Sequence, residues 1–169
     1  MITTLYVDGG VIGHNPSGIG GTWAWCLVDN SDVRIASGSG YVTPAQAAMP
    51  GITNNFTEML ALIYGLERLP VGFKGTVCSD SEITLGRAFW GWQWNGIPDW
   101  MHRRYQAARK RLPNYDSLTP LLLDGHPTAQ QLADKIGKRG HPVSIHNVWC
   151  DRACGEAGQQ YLQMMEPQR

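Results

Sequence analysis

Two hydrophobic periods alternate along this chain. Residues 2–8 (ITTLYVD) form an apolar-ended run that reads as a strand and closes on Asp8-Gly9-Gly10. After the turn-rich stretch GGVIGHNPSGIGG, residues 22–28 (TWAWCLV) read as a second strand, Asp29 to Asp32 as hairpin-turn material, and residues 33–42 as a third strand weakened by Gly38 and Gly40. Short connections between the three imply an antiparallel meander. A loop through Pro44 and Pro50 leads to a helical period beginning at Thr53, in which Met59, Leu60, Leu62, Ile63 and Leu66 share a face until Pro70 stops it. Residues 75–79 (GTVCS) form a strand entered from a helix, so it is expected to lie parallel to the first. Residues 81–90 read as a helix, broken by the WGWQWNG run that begins at Trp90. Asp99 is the expected N-cap of a helix reaching Leu112, residues 118–123 a fifth strand, residues 128–136 a short helix capped by Thr128, and residues 147–165 a final helix. The expected fold is α/β: one domain over residues 1–169, with a mixed five-stranded sheet flanked by helices.

Composition narrows the class. With 169 residues, 43% hydrophobic and 17% charged, the chain can bury a substantial core and has little room for long disorder. A formal net charge of zero argues against coating nucleic acid by bulk charge, while leaving room for a local basic patch. No charged leader precedes an apolar segment, and no apolar run approaches the roughly 20 residues a membrane span needs. Four cysteines are too sparse for a disulfide scaffold. A cytoplasmic monomer without membrane contact is expected.

Four acids stand out. Asp8 and Asp80 both end apolar runs, so neighbouring strands could set them side by side. Glu58 has apolar residues at i+4 (Leu62) and i+8 (Leu66), which puts its carboxylate on the buried helix face, where a lone charge is costly. Asp151 stands near the start of the last helix, between Cys150 and Ala153. Buried acids without a basic partner nearby in sequence are candidate ligands for a hard divalent cation. Two such ions about 4 Å apart can promote hydrolysis of a phosphodiester.

The blocks that carry these acids resemble type I ribonuclease H, the endonuclease family that cleaves the RNA strand of RNA–DNA hybrids. DGGVIGHNPSGIGGTWAWCL is similar to that family's first hairpin and TNNFTEMLALIYGL to its first helix. SDSE resembles the end of its fourth strand and HNVWCDRAC the start of its last helix. The four blocks occur in family order and span nearly the whole chain. The resemblance implies a ribonuclease H-like fold, Asp8, Glu58, Asp80 and Asp151 as metal-binding catalytic acids, and two Mg²⁺ ions with Mn²⁺ as a substitute. It implies that Asn15, Asn54 and Asn55 touch the hybrid, and that Gly10, beside Gly9, allows close backbone approach. Short amides suit a 2′-hydroxyl in the shallow minor groove, although the same asparagines would serve as turn and cap residues. The family also carries a histidine on the loop after the fifth strand. His141, ten residues before Asp151, is the expected catalytic histidine, and His126 competes for the role because residues 128–140 read as an insertion.

Two further features leave alternatives open. Trp90, Trp92, Trp94 and Trp100 precede His102, Arg103, Arg104, Arg109, Lys110 and Arg111, a pattern that fits either stacking and phosphate contact or a core with a solvated face. Cys150, Cys154 and His146 lie at one-turn spacing, which permits zinc but lacks a fourth ligand. The rival functions are a junction resolvase or exonuclease of related fold, a hybrid-binding module without catalysis, and a structural subunit of a polymerase complex. Exonucleases of that fold usually carry Asp-x-Glu in the first strand, where this chain has Asp8-Gly9-Gly10.

Overall fold

The structure, a computed structural model, describes residues 1–166. Strands β1 (Ile2–Val11), β2 (Gly21–Asp29) and β3 (Arg34–Val42) form the antiparallel meander, and β4 (Thr76–Ser79) and β5 (Thr119–Leu122) extend the sheet beyond β1. The order is β3-β2-β1-β4-β5, with β4 parallel to both β1 and β5. Helices intervene before β4 and β5, and a parallel pairing needs such crossovers. The helices are α1 (Pro44–Ala47), α2 (Asn54–Arg68), α3 (Glu82–Phe89), α4 (Asp99–Lys110), α5 (Ala129–Asp134) and α6 (Ile145–Met165). The sequence-based expectation of a mixed five-stranded sheet flanked by helices matches this architecture.

Both faces of the sheet are covered, and alternation along the strands decides which residue goes where. Leu5 and Val7 of β1 join Trp25 and Leu27 of β2 in the larger core, against α2 and α4. The intervening Ala24, Cys26 and Val28 face α6, where Cys150, Ala153 and Cys154 meet them. A strand buried on both faces loses the polar–apolar alternation, which explains why TWAWCLV reads as continuously apolar. On α2, Leu60, Leu62 and Leu66 are fully buried, each contributing about 2 kcal/mol from transfer out of water.

Some boundaries differ from expectation for identifiable reasons. β1 does not stop at Asp8: Gly9 pairs with Trp23 and Gly10 with Thr22, so the glycines continue the ladder to Val11. Gly38 and Gly40 are packing requirements rather than weak points, because a Cβ at either would lie 2.7 Å from the Trp25 or Trp23 ring. Residues 44–47, expected as loop, form one helical turn closed by a capping box between Thr43 and Gln46. Asp99 is the first residue of α4 rather than its cap, and Pro98 takes the N-cap position. α6 begins at Ile145, two residues early, because the Ser144 hydroxyl accepts from the His146 N–H. No helix among the described residues is long and apolar enough to cross a membrane.

Candidate active site

The parallel pairing of β1 with β4 ends at Tyr6 opposite Cys78. Two residues further on, each segment carries an aspartate on the same side of the sheet, Asp8 and Asp80. Side chains two apart in a strand share a face, so the pairing register sets these two carboxylates beside each other. Glu58 arrives from α2, which crosses β1 at Gly9. A Cβ on Gly9 would lie 2.5 Å from the Glu58 nitrogen and the Thr57 carbonyl carbon, so only glycine lets the helix come this close. Oxygens of Asp8, Glu58 and Asp80 lie within 4.8 Å of one another.

The three carboxyl groups are poorly compensated. Asp8 is 3% and Glu58 9% exposed. The Gly9 N–H donates to Asp8 Oδ1 (3.0 Å), and Asn147 Nδ2 donates to Asp80 Oδ2 (3.3 Å). Glu58 Oε2 is buried without a partner, and no lysine or arginine forms a salt bridge to any of the three among the described residues. Burial first, and then the neighbouring carboxylates, push Asp8 and Glu58 well above the ordinary carboxylate range; burial likewise raises Asp80. An all-oxygen set of converging acids with an orphaned buried oxygen is the donor chemistry of a hard divalent cation.

Asp151 faces this cluster from the second turn of α6 and is half-exposed. It lines a cleft of about 440 Å³ with the three acids. Asn54 and Asn55, at the start of α2, also line that cleft. Asn15 stands next to them, its Oδ1 accepting from the Asn54 N–H at 3.2 Å. Gly10 opens onto the adjoining groove, which also reaches Asp151.

The histidine in the cleft is His126, not the expected His141. Its Nδ1 lies 3.5 Å from Asp151 Oδ2, and its backbone takes up the left-handed region (φ 50°) as the chain leaves β5. His141 lies at the far end of the 125–141 excursion, where its N–H donates to Asp124 Oδ2 (3.1 Å). The excursion returns to its starting point, so sequence distance from Asp151 is a poor guide to which end faces the acids. Three positions in the site escaped the sequence reading. Asn147 is 2% exposed and one turn before Asp151. Ser81 lines the cleft, and Gly125 leaves room for Asp80, whose Oδ2 would lie 2.7 Å from a Cβ there. A polar residue at i−4 from Asp151 was a readable signal for Asn147; the other two depend on loop geometry.

The remaining candidates divide. Trp94 and Trp100 pack on the core, donating to Arg87 O and Ala47 O, whereas Trp90 and Trp92 are exposed. On α4 and just after it, Arg104 pairs with Glu67, Arg109 with Asp116, and Arg111 donates to the Leu66 and Leu69 carbonyls. Cys150, Cys154 and His146 do not converge: the thiols point at Tyr6 O, Cys26 and Asp8 O, and His146 Nε2 contacts Asp32 Oδ1 at 2.8 Å.

Solved structures define the fold class. RNase H1 from Halobacterium salinarum aligns with a TM-score of 0.63 at 22% identity, over 94% of this chain and 98% of that one. LC11-RNase H1, solved in complex with an RNA/DNA hybrid, aligns with a TM-score of 0.66 at 20% identity, over 96% and 99%. The fold is therefore ribonuclease H-like. No family model matches the chain. A curated ribonuclease H from Rippkaea orientalis is 30% identical over 156 residues, covering 92% of this chain and 85% of that protein. The chain belongs to the ribonuclease H family.

Proposed function

We infer that this protein is an endonuclease that hydrolyses the RNA strand of RNA–DNA hybrids. The carrying observation is the convergence of poorly compensated carboxylates from β1 (Asp8), α2 (Glu58) and the segment just after β4 (Asp80) in a ribonuclease H family chain. A structural neighbour held with an RNA/DNA hybrid supports the choice of substrate.

Asp8, Glu58 and Asp80, with Asp151, are the residues that would hold two divalent cations, Mg²⁺ with Mn²⁺ as substitute. Bound there, such cations supply positive charge to a phosphodiester and its leaving oxygen. The chain's own groups do the rest. The amides of Asn15, Asn54 and Asn55, and the open backbone at Gly10, face the minor-groove side and read the 2′-hydroxyl. Asn147 fixes the Asp80 carboxylate. His126, exposed and held near Asp151, carries a proton to or from the reaction zone. A water oxygen bonds to phosphorus in line with the breaking P–O3′ bond, the 3′ oxygen leaves with a proton, and the ends are 5′-phosphate and 3′-hydroxyl. We also read residues 1–169 as one domain acting as a monomer in a reducing, cytoplasmic setting. The four free thiols are consistent with that setting.

The test is cleavage of 5′-labelled RNA–DNA hybrid, double-stranded RNA, double-stranded DNA and a four-way junction, with Mg²⁺ or chelator. Internal cuts confined to the hybrid's RNA strand, lost with chelator and in Asp8→Asn, are expected. Preferential cutting of the junction would overturn the substrate, and tight hybrid binding without cutting would make the chain a binding module.

A further inference from the structure

Between β5 and α6 the chain leaves the cleft, forms α5 and returns. Its neck is built. Asp124, 6% exposed, accepts through Oδ2 from the Arg139 N–H (2.8 Å) and the His141 N–H (3.1 Å), and its own N–H donates to Pro142 O (2.9 Å). Gly137 donates to His141 O (2.9 Å) and packs so tightly on Asp124 that a Cβ would lie 2.4 Å from the Asp124 Cβ. A buried carboxylate that takes two N–H donors fifteen and seventeen residues away fixes the whole excursion as one unit. The unit starts at the acids themselves, with Gly125 against Asp80 and His126 beside Asp151.

The excursion carries Lys135, Lys138 and Arg139, all exposed, and none of them forms a salt bridge among the described residues. Asp134 is the one acid between Gly125 and His141. On α4, by comparison, Arg104 and Arg109 are paired with acids, while Arg103 and Lys110 form no salt bridge among the described residues. The cleft has one rim at the start of α2, with Asn54 and Asn55, and the other at Gly125 and His126. Because Gly125 and His126, which open the excursion, line the same cleft as the acids, a polynucleotide lying across the acids runs beside the start of the excursion. Unpaired cations on a rigid mount beside that path suit a phosphate backbone.

We propose that residues 125–141 form an arm, locked at its neck by Asp124, through which Lys135, Lys138 and Arg139 hold the phosphate backbone of the hybrid beside the cleft. The arm supplies binding and register, and Asp124 is a positioning residue. This rests on the hybrid-cleaving reading, and the experiment separates the two. Binding of a fluorescein-labelled RNA–DNA hybrid is followed by anisotropy in chelator as a function of KCl, alongside kcat and KM in Mg²⁺. The triple variant Lys135→Gln/Lys138→Gln/Arg139→Gln should weaken binding about tenfold and lower the log–log salt slope by about 2 to 3, close to one unit for each phosphate that is no longer neutralised. KM should rise with kcat nearly unchanged. Asp124→Ala should reproduce part of the slope change without removing a cation, and Asp124→Asn, which keeps an acceptor oxygen, should restore it. Lys74→Gln, at the opposite end of β4, should change neither quantity. A triple variant with wild-type slope and KM overturns the arm. An Asp124→Ala protein with wild-type slope overturns the neck's part in it. A wild-type protein that neither binds nor cuts the hybrid overturns the underlying reading instead.

Discussion

Replacing Glu58 by Gln should make the metal-free protein more stable. Glu58 is 9% exposed, its Oε2 has no partner, and its carboxylate lies within 4.8 Å of those of Asp8 and Asp80. Two unit charges at that distance repel by about 3.5 kcal/mol at an effective dielectric near 20. Proton uptake relieves part of this, so removing the charge should recover on the order of 1–3 kcal/mol. Gln has nearly the same shape, leaves no cavity, and its amide can donate to the Asp8 carboxylate. For a chain of this size the gain is a Tm increase of about 3–9 °C. The pH dependence has a definite sign. Because burial and neighbouring acids raise these groups, the native state binds more protons than the unfolded chain, and stability falls as pH rises. The penalty is absent below the unfolded carboxylate value of about 4 and complete above the raised native values. Calorimetry in chelator across this range should show wild type losing stability with rising pH and Glu58→Gln losing less. Mg²⁺ should reverse the ranking, stabilising wild type by mass action and leaving the variant largely unmoved. A Glu58→Gln protein less stable than wild type in chelator would refute the account of uncompensated charge.

Three more outcomes follow from the same geometry. Asp80→Asn should lower kcat by about 10³-fold or more, the equivalent of several kcal/mol of lost charge stabilisation, while hybrid binding in chelator persists. His126→Ala should lower kcat by about 10²-fold, whereas His141→Ala should leave kcat near wild type, and the comparison is made by steady-state cleavage. Gly9→Ala should cost about 1–3 kcal/mol in urea unfolding and weaken Mg²⁺ binding measured by calorimetry, because the added methyl pushes α2 and Glu58 off β1.

The legible parts of this molecule are those in which local pattern and tertiary role coincide. Met59 to Leu66 announces α2 because the face that must be buried repeats every turn, and Glu58 on that face is anomalous in sequence for the reason it is anomalous in space. Four of the five strands were readable as short, largely apolar runs between turn residues; the third, RIASGSGYV, was readable from the hairpin turn before it. The illegible parts depend on closure. That His126 rather than His141 lines the cleft depends on the chain turning through Gly125 and a left-handed His126 as it leaves β5, an arrangement with no local signature. The tryptophans split two and two because Trp94 and Trp100 reach the Arg87 and Ala47 carbonyls and pack on the core, whereas Trp90 and Trp92 lie against each other at the surface. One turn of helix at residues 44–47 is too short for any period to show.

The register that ends β1–β4 pairing at Tyr6 and Cys78 has a consequence for biosynthesis. Asp8 is made early, yet it acquires its neighbours only when α2 has docked, β4 has slotted in as a parallel strand and α6 has closed the opposite face with Asp151. Parallel pairing across an intervening helix is a late, non-local event in folding. A chain that has not yet added α6 lacks Asp151, so the group of acids around the cleft is complete only when the last helix is in place.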